Sequence, residues 1–260
     1  MTYETLTVRR RGAVQIIGLD RPAKRNAFDI TMLRELATAF GELDRDDSVR
    51  AAVLYGEGTM FTSGLDLASV AGEIQAGNSM VPEGGINPWQ VEGKRVSKPI
   101  VAAVHGKVLT LGIELMLAAD IVVAAESTTF AQLEISRGIY PFGGTTIRFP
   151  RAAGWGNAMR WLLTAEEFDA AEAHRIGVVQ EVVPDDTHVE RAIEIARVIA
   201  RQAPLGVQAT LRNARLAERE GEAAAEAELV PTVQKLFTTE DAAIGIQAFL
   251  TRTTAEFAGR

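Results

Sequence analysis

The feature that most constrains this chain is a set of short, nearly continuous aliphatic runs separated by helical patterns. Residues 13–19, 51–55, 99–104, 121–125 and 178–183 are each too short for a buried helix and too uniformly apolar for a strand with one wet face. Strands of a parallel sheet covered on both sides by helices read in this way. Between the first two runs, Ile30, Leu33, Leu36, Ala37, Phe40 and Leu43 recur at helical spacing, with Asp29 placed to cap the helix. Beyond residue 186 the pattern is almost entirely helical. Pro204 interrupts it, and residues 206–220 and 222–236 resume it. The alternation predicts an α/β fold followed by helices.

At 260 residues, with 47% hydrophobic side chains, the chain can bury a core large enough to need no covalent staples. One large domain with a C-terminal helical appendage is expected. There is no cysteine, which excludes disulfides, thiolate zinc sites and a cysteine nucleophile and fits a reducing compartment. The net charge of −7 and the lack of a basic face argue against a nucleic-acid partner; Arg9, Arg10 and Arg11 read as a solvated strand end. No segment resembles a signal peptide, and no apolar run approaches the roughly 18 residues of a membrane span. A cytoplasmic protein without membrane contact is expected.

Residues 69–97 stand apart. They carry five glycines and two prolines and are long for a connection, so they read either as a lid or as a disordered loop. Trp89 within them reads as an aromatic that packs the loop down, with a pocket-lining role as the alternative.

Several chemistries lack their marks. His105, His174 and His188 are scattered, with no pair at metal-ligand spacing, so no metal site is expected. Two of them read as surface residues, and His105, after a buried strand, as structural. No G-x-S-x-G elbow occurs. Gly154-Trp155-Gly156-Asn157 lacks the third glycine of a dinucleotide fingerprint.

Three segments remain. Phe61-Thr62-Ser63-Gly64-Leu65-Asp66-Leu67 follows the second strand, where a strand-to-helix turn leaves N–H groups free and glycine permits close approach of a ligand; its plain reading is a joint with Asp66 as helix cap. The second segment, Val104 to Leu115, runs from a strand through Gly106 and Gly112 to Glu114. That glutamate is set among Leu111, Ile113, Leu115, Met116 and Leu117. A carboxylate in such company is costly to bury, and burial raises its pKa into a range useful for acid–base work. In the third, Glu134 precedes the glycine-rich turn Gly138 to Gly144, which is expected to open another helix. Alone, Glu134 reads as a surface carboxylate or cap.

Taken in register, and with Arg21-Pro22-Ala23-Lys24-Arg25-Asn26-Ala27 ahead of them, these segments resemble the crotonase (enoyl-CoA hydratase/isomerase) superfamily. Ser63 to Asp66 matches its S/A-G-x-D motif, and Gly112 to Leu115 its glycine-rich helix start. Glu114 and Glu134 lie 20 positions apart, as do the two catalytic glutamates of the family's hydratases. Glu240, Gly245, Ala248, Phe249 and Arg252 resemble the family's tail.

The resemblance implies an α/β crotonase-like spiral of repeated ββα units over residues 1–200. A C-terminal helical trimerisation region over 201–260 would pack on the core and on a neighbouring subunit. It implies an oxyanion hole made by the N–H groups of Leu65 and Leu111, which holds the thioester oxygen as charge develops. Glu114 would activate a water that adds to C3 of a 2-enoyl-CoA, and Glu134 would protonate C2. Lys24, Arg25, Ala27, Ser63, Asp66 and Leu67 are implied contacts of the CoA moiety, joined by Phe249 and Arg252 of a neighbouring subunit in a homotrimer or homohexamer. No separate cofactor is implied, because CoA is part of the substrate. The alternatives are an enoyl-CoA isomerase or another crotonase-type reaction, and a non-catalytic acyl-CoA-binding protein. The sequence departs from the family where Thr110-Leu111-Gly112 replaces three glycines, where Ala68 replaces a basic residue, and where the turn from Tyr140 to Gly144 is one residue short and carries Phe142.

Overall fold

A computed structural model describes residues 2–260. The chain opens with two antiparallel strands, β1 (Leu6–Arg11) and β2 (Val14–Leu19), and the amphipathic helix α1 (Ile30–Arg45). The Asp29 side chain accepts a hydrogen bond from the Met32 N–H, which caps α1 as the sequence predicts. There follow β3 (Ala51–Gly56), α2 (Leu67–Gln75), β4 (Ile100–Val104), β5 (Lys107–Leu109), α3 (Leu111–Met116), β6 (Ile121–Ala125) and β7 (Thr129–Ala131). Next come α4 (Thr145–Ala153), α5 (Trp155–Thr164), β8 (Phe168–Asp169), α6 (Ala170–Arg175), β9 (Glu181–Val183) and α7 (His188–Ala200). The chain closes with α8 (Pro204–Glu220), α9 (Glu222–Leu236) and α10 (Glu240–Thr251). No helix among the described residues is long and apolar enough to cross a membrane.

The strands form a six-stranded sheet in the order β1-β2-β3-β4-β6-β9 and a three-stranded sheet in the order β5-β7-β8. Every pair in the larger sheet beyond β1–β2 is parallel. Thr62 bridges Val108, so the chain after β3 also touches the smaller sheet. Three successive turns thus repeat one path: a strand of the large sheet, a crossing to the small one, then a helix. This is the expected ββα spiral. The large sheet is covered on both sides. Ile17, Leu19, Leu54, Ala102 and Val104 face one core with α1, while Val14, Ile16, Val53, Val101 and Val123 face Ala192, Ile193 and Ala196 of α7. Double burial is why the strands lack polar alternation.

The structure moves some boundaries. The fifth run is a strand only from Glu181, because residues 176–179 turn back onto α6 through hydrogen bonds to Glu172, Ala173 and His174. The Arg9–Arg11 run is the exposed end of β1, which is an edge strand. His188 is buried, not at the surface, and its ring stacks on His105 with centroids 4.7 Å apart. Residues 69–97 begin inside α2 and continue as an irregular but anchored segment. Ile86, Trp89, Gln90 and Val96 are buried, Gln90 bonds the Ala118 carbonyl and the Val96 N–H, and Asp44 accepts from the Ser97 N–H. These bonds speak against a disordered loop.

Candidate active site

The site lies where the first two turns of the spiral pass from strand to helix. Gly64, at φ +89°, lets the chain leave β3 and turn toward α2; a Cβ there would overlap the Thr110 hydroxyl. The next N–H, that of Leu65, donates to no acceptor among the described residues. On the neighbouring turn, Thr110 has φ 53° and ψ −121°, rare for a β-branched residue. This swings the Leu111 N–H out of the ladder, and it too donates to nothing among the described residues. Leu65, Leu111 and Phe142 are common to two cavities. One, about 60 Å³, is also lined by Ser63, Thr110 and Glu134. The other, about 440 Å³, is also lined by Leu33, Met80, Trp89 and Gly143.

Glu114 projects from α3 and is fully buried. Its Oε2 accepts from the Thr145 N–H at 3.0 Å, at the start of α4. Gly143 must be glycine for this to happen, because a Cβ would lie 2.7 Å from Trp89, 2.9 Å from Leu111 and 3.1 Å from Glu114. Burial pushes the Glu114 pKa up to about 7, against the pull of the Thr145, Gly143 and Phe142 N–H groups, and the Glu134 charge adds to the rise. Glu134 begins a short 3-10 turn, Glu134–Arg137, and is also buried. Its Oε2 accepts from the Gln132 side chain at 3.0 Å. Burial raises its pKa too, opposed by its own backbone N–H, by Gln132 and by Arg137.

Each glutamate therefore uses one oxygen to hold its position. The other, Oε1 in both, is buried and has no partner, as are Gln132 Oε1 and Thr145 Oγ1. Buried polar atoms are normally satisfied, and such a group of unpaired acceptors suits a polar substrate. Two carboxylates able to exchange protons, beside two free backbone donors, can stabilise an oxyanion while moving a proton on and off carbon.

The predicted CoA contacts of the 24–27 segment and of the turn at 63–66 are brought together. Buried Asn26 donates to the carbonyls of Glu57, Met60 and Phe61, pinning the segment of Lys24, Arg25 and Ala27 against the Ser63 turn. Lys24, Arg25 and Leu67 are exposed. The N–H groups of Ser63 and Asp66 are already given to the carbonyls of Arg25 and Phe28. Asp66 occupies the position before α2, but its side chain does not cap the helix; it pairs with Arg21 at 3.1 Å, which also holds Asp29 at 3.1 Å. Phe249 and Arg252, at the end of α10, are exposed and line neither cavity within one chain.

Sequence reasoning offered both roles for Trp89 but missed the bond it makes to the second turn, and it missed Arg148. Trp89 both packs down its loop, edge-on to Phe28, and lines the larger cavity, while its indole N–H donates to the Leu111 carbonyl at 2.9 Å. Arg148 donates to the carbonyls of Gly143 at 3.1 Å and Trp89 at 2.7 Å, tying the loop to the turn that holds Glu114.

A model of the enoyl-CoA hydratase/isomerase family matches residues 9–260. The chain is 35% identical over 257 residues to the enoyl-CoA hydratase EchA19 of Mycobacterium tuberculosis, covering 97% of this chain and 96% of that protein. It is 36% identical over 261 residues to the 2,3-dehydroadipyl-CoA hydratase of Escherichia coli, covering 98% and 99%. The crystal structure of a probable enoyl-CoA hydratase/isomerase from Mycobacterium abscessus superposes with a TM-score of 0.99 at 74% identity, covering 100% of both chains. The fold and the paired glutamates define a crotonase-type protein. The chain belongs to the enoyl-CoA hydratase/isomerase family.

Proposed function

We propose that the protein hydrates a 2-enoyl-CoA. One observation carries this reading: Glu114 and Glu134 are both buried with one oxygen unpaired on each, Glu134 lines the small cavity with Leu65 and Leu111, and Glu114 packs behind Gly143, which lines the larger one. The Leu65 and Leu111 N–H groups hold the thioester oxygen as it gains charge. Glu114 takes a proton from water as the oxygen adds to C3, and Glu134 gives a proton to C2, so one water is consumed and its elements end on the two carbons. The proton taken up by Glu114 returns to Glu134 before the next turnover, so the pair titrates as a unit. Lys24 and Arg25 meet the CoA phosphates, with Ala27, Ser63, Asp66 and Leu67 along the rest of the carrier. Phe249 and Arg252 reach it from a neighbouring copy in a homotrimer or homohexamer, an assembly supported by their exposure at the end of α10. CoA arrives as part of the substrate, no separate cofactor takes part, and the protein works in the cytoplasm. The chain divides functionally into a catalytic core over 1–200 and the helical region 201–260.

The test is loss of enoyl absorbance with crotonyl-CoA and longer 2-enoyl-CoAs. Absence of hydration by the pure protein on every substrate overturns the reading. A Glu114→Gln variant that isomerises 3-enoyl-CoA at full rate, with Glu134→Gln inactive, transfers the assignment to isomerase.

A further inference from the structure

A separate cavity of about 360 Å³ lies behind the turn that holds Glu114, between the end of α3, α4 and α8. It shares no lining residue with the two cavities at the candidate active site. Four arginines line it, Arg95, Arg148, Arg151 and Arg215, against only two carboxylates, Asp120 and Glu218. Two of the arginines are matched: Arg215 pairs with Asp120 at 2.8 Å, and Arg151 with Glu218 at 3.6 Å. The other two have no ion-pair partner among the described residues. Arg148 gives its N–H groups to backbone carbonyls, and the Arg95 side chain makes no hydrogen bond or ion pair among the described residues.

Two guanidinium groups without an ion-pair partner around one cavity are unusual in a chain whose net charge is −7. Burial and neighbouring arginines make both charges less favourable: burial, with the Arg95 charge next in size, lowers the Arg148 pKa to about 10 against the pull of Glu114 and Glu218, and burial with the Arg215 charge lowers Arg95 against the pull of Glu218. An anion placed between them would relieve that cost, and the free fork of Arg95 matches the paired oxygens of a phosphate or carboxylate. No lysine lines the cavity. Planar, two-pronged recognition therefore fits better than a diffuse positive field.

We propose that this cavity binds one small oxygen dianion per chain, a phosphate or a short dicarboxylate, gripped by Arg95 and attracted by the charge of Arg148. The site is independent of the hydratase reading, since it shares no lining residue with the reactive cleft and its detection needs no turnover.

The experiment is calorimetric titration of the intact, assembled protein with inorganic phosphate and, separately, with succinate, at ionic strength matched by chloride. Saturable binding of at least one of them near one per chain is expected, with an Arg95→Ala dissociation constant at least tenfold higher. Arg95→Lys, which keeps the charge and loses the fork, should fall between. Phosphate binding without succinate binding assigns the ligand to phosphates, and the reverse to dicarboxylates. No saturable binding of either by the wild-type protein overturns the proposal, and so does equal binding by Arg95→Ala. Arg95 holds no other residue, so the variant is expected to fold. Should it not, the wild-type titration together with Arg95→Lys decides, and wild-type-like affinity in Arg95→Lys counts against two-pronged recognition.

Discussion

Two strand-to-helix turns flank the reactive cleft, and they do different work. The turn from Phe61 to Leu65 uses a glycine to present its free N–H and leads into α2, where only Val70 is buried. The turn from Leu109 to Leu111 presents its free N–H without a glycine at Thr110 and leads into α3, where all of Leu111, Gly112, Ile113, Glu114, Leu115 and Met116 are buried. The first turn is itself largely buried but leads into an exposed helix. The second is strained and leads into a dry helix that carries a carboxylate. Backbone donation requires only that a peptide be held still, which either environment allows. Raising a glutamate pKa requires exclusion of water, which only the second provides. On the proposed reading, the first half of the site holds the thioester and the second reacts with it.

The sharpest way to break that division is to remove charge from the buried half. Glu114→Gln keeps the shape of the side chain and is expected to lower kcat by about 10²–10⁴, with Glu134→Gln falling in the same range. Leu67→Ala, on the exposed half, should raise KM and leave kcat near the wild-type value. Steady-state kinetics with crotonyl-CoA checks all three. A Glu114→Gln variant with unchanged kcat would place the chemistry elsewhere.

Next in size is the contact between the two turns. In Gly64→Ala, a Cβ would meet the Thr110 hydroxyl and would lie 3.1 Å from Thr110 Cβ and 3.2 Å from the Leu109 carbonyl, at a φ of +89° that alanine resists. Strain and overpacking together should cost about 2–5 kcal/mol. Denaturant unfolding measures it, and a loss under about 1 kcal/mol would show that the turns are not braced against each other.

The dryness of the second half has a signature in pH. Glu114 titrates near 4.5 when unfolded and at about 7 when folded. The folded state therefore binds more protons between these values, and stability falls as pH rises through that window. The whole cost, about 3 kcal/mol, is present above pH 7. Glu114→Gln lacks it, so the variant should gain on the wild type from pH 4.5 to 7 and hold a constant advantage above. Parallel unfolding curves for the two proteins across that range would mean that Glu114 is solvated. Activity runs the other way. With Glu114 as the base of the proposed hydration, kcat/KM should rise as pH passes through about 7.

The same contrast separates what the sequence shows from what it hides. The parallel strands were legible because double burial removes polar alternation from residues 14–19, 51–56, 100–104 and 121–125. Glu114 was legible because a lone carboxylate among five apolar neighbours demands a reason. Glu134 had no such neighbourhood and gained meaning only from its register with Glu114. Arg148 was illegible: an arginine in a short helix looks like solvated charge, and its acceptors are backbone carbonyls, which no sequence pattern marks. The His105–His188 stack was hidden because it joins the end of β4 to the start of α7, a contact set by packing rather than by spacing. β8, at two residues, is too short to leave any periodicity.

The smallest expected effect falls on the strained residue itself. Thr110→Gly removes a β-branched side chain from φ 53° and ψ −121°, which should return about 1–3 kcal/mol of strain. It also frees the unfolded chain, at a cost of about 0.5–1 kcal/mol. A net gain near 1 kcal/mol is expected, read as a raised denaturant midpoint with unchanged slope. The gain alone does not separate strain at Thr110 from contact with Gly64. The double variant Gly64→Ala/Thr110→Gly does, because deleting the threonine side chain clears most of the space that the new Cβ needs. If the turns are braced, the double variant should lose less than the sum of the two single effects predicts, by about 0.5–3 kcal/mol. Strict additivity would mean that each turn is held by its own backbone, and that the N–H groups of Leu65 and Leu111 are positioned independently.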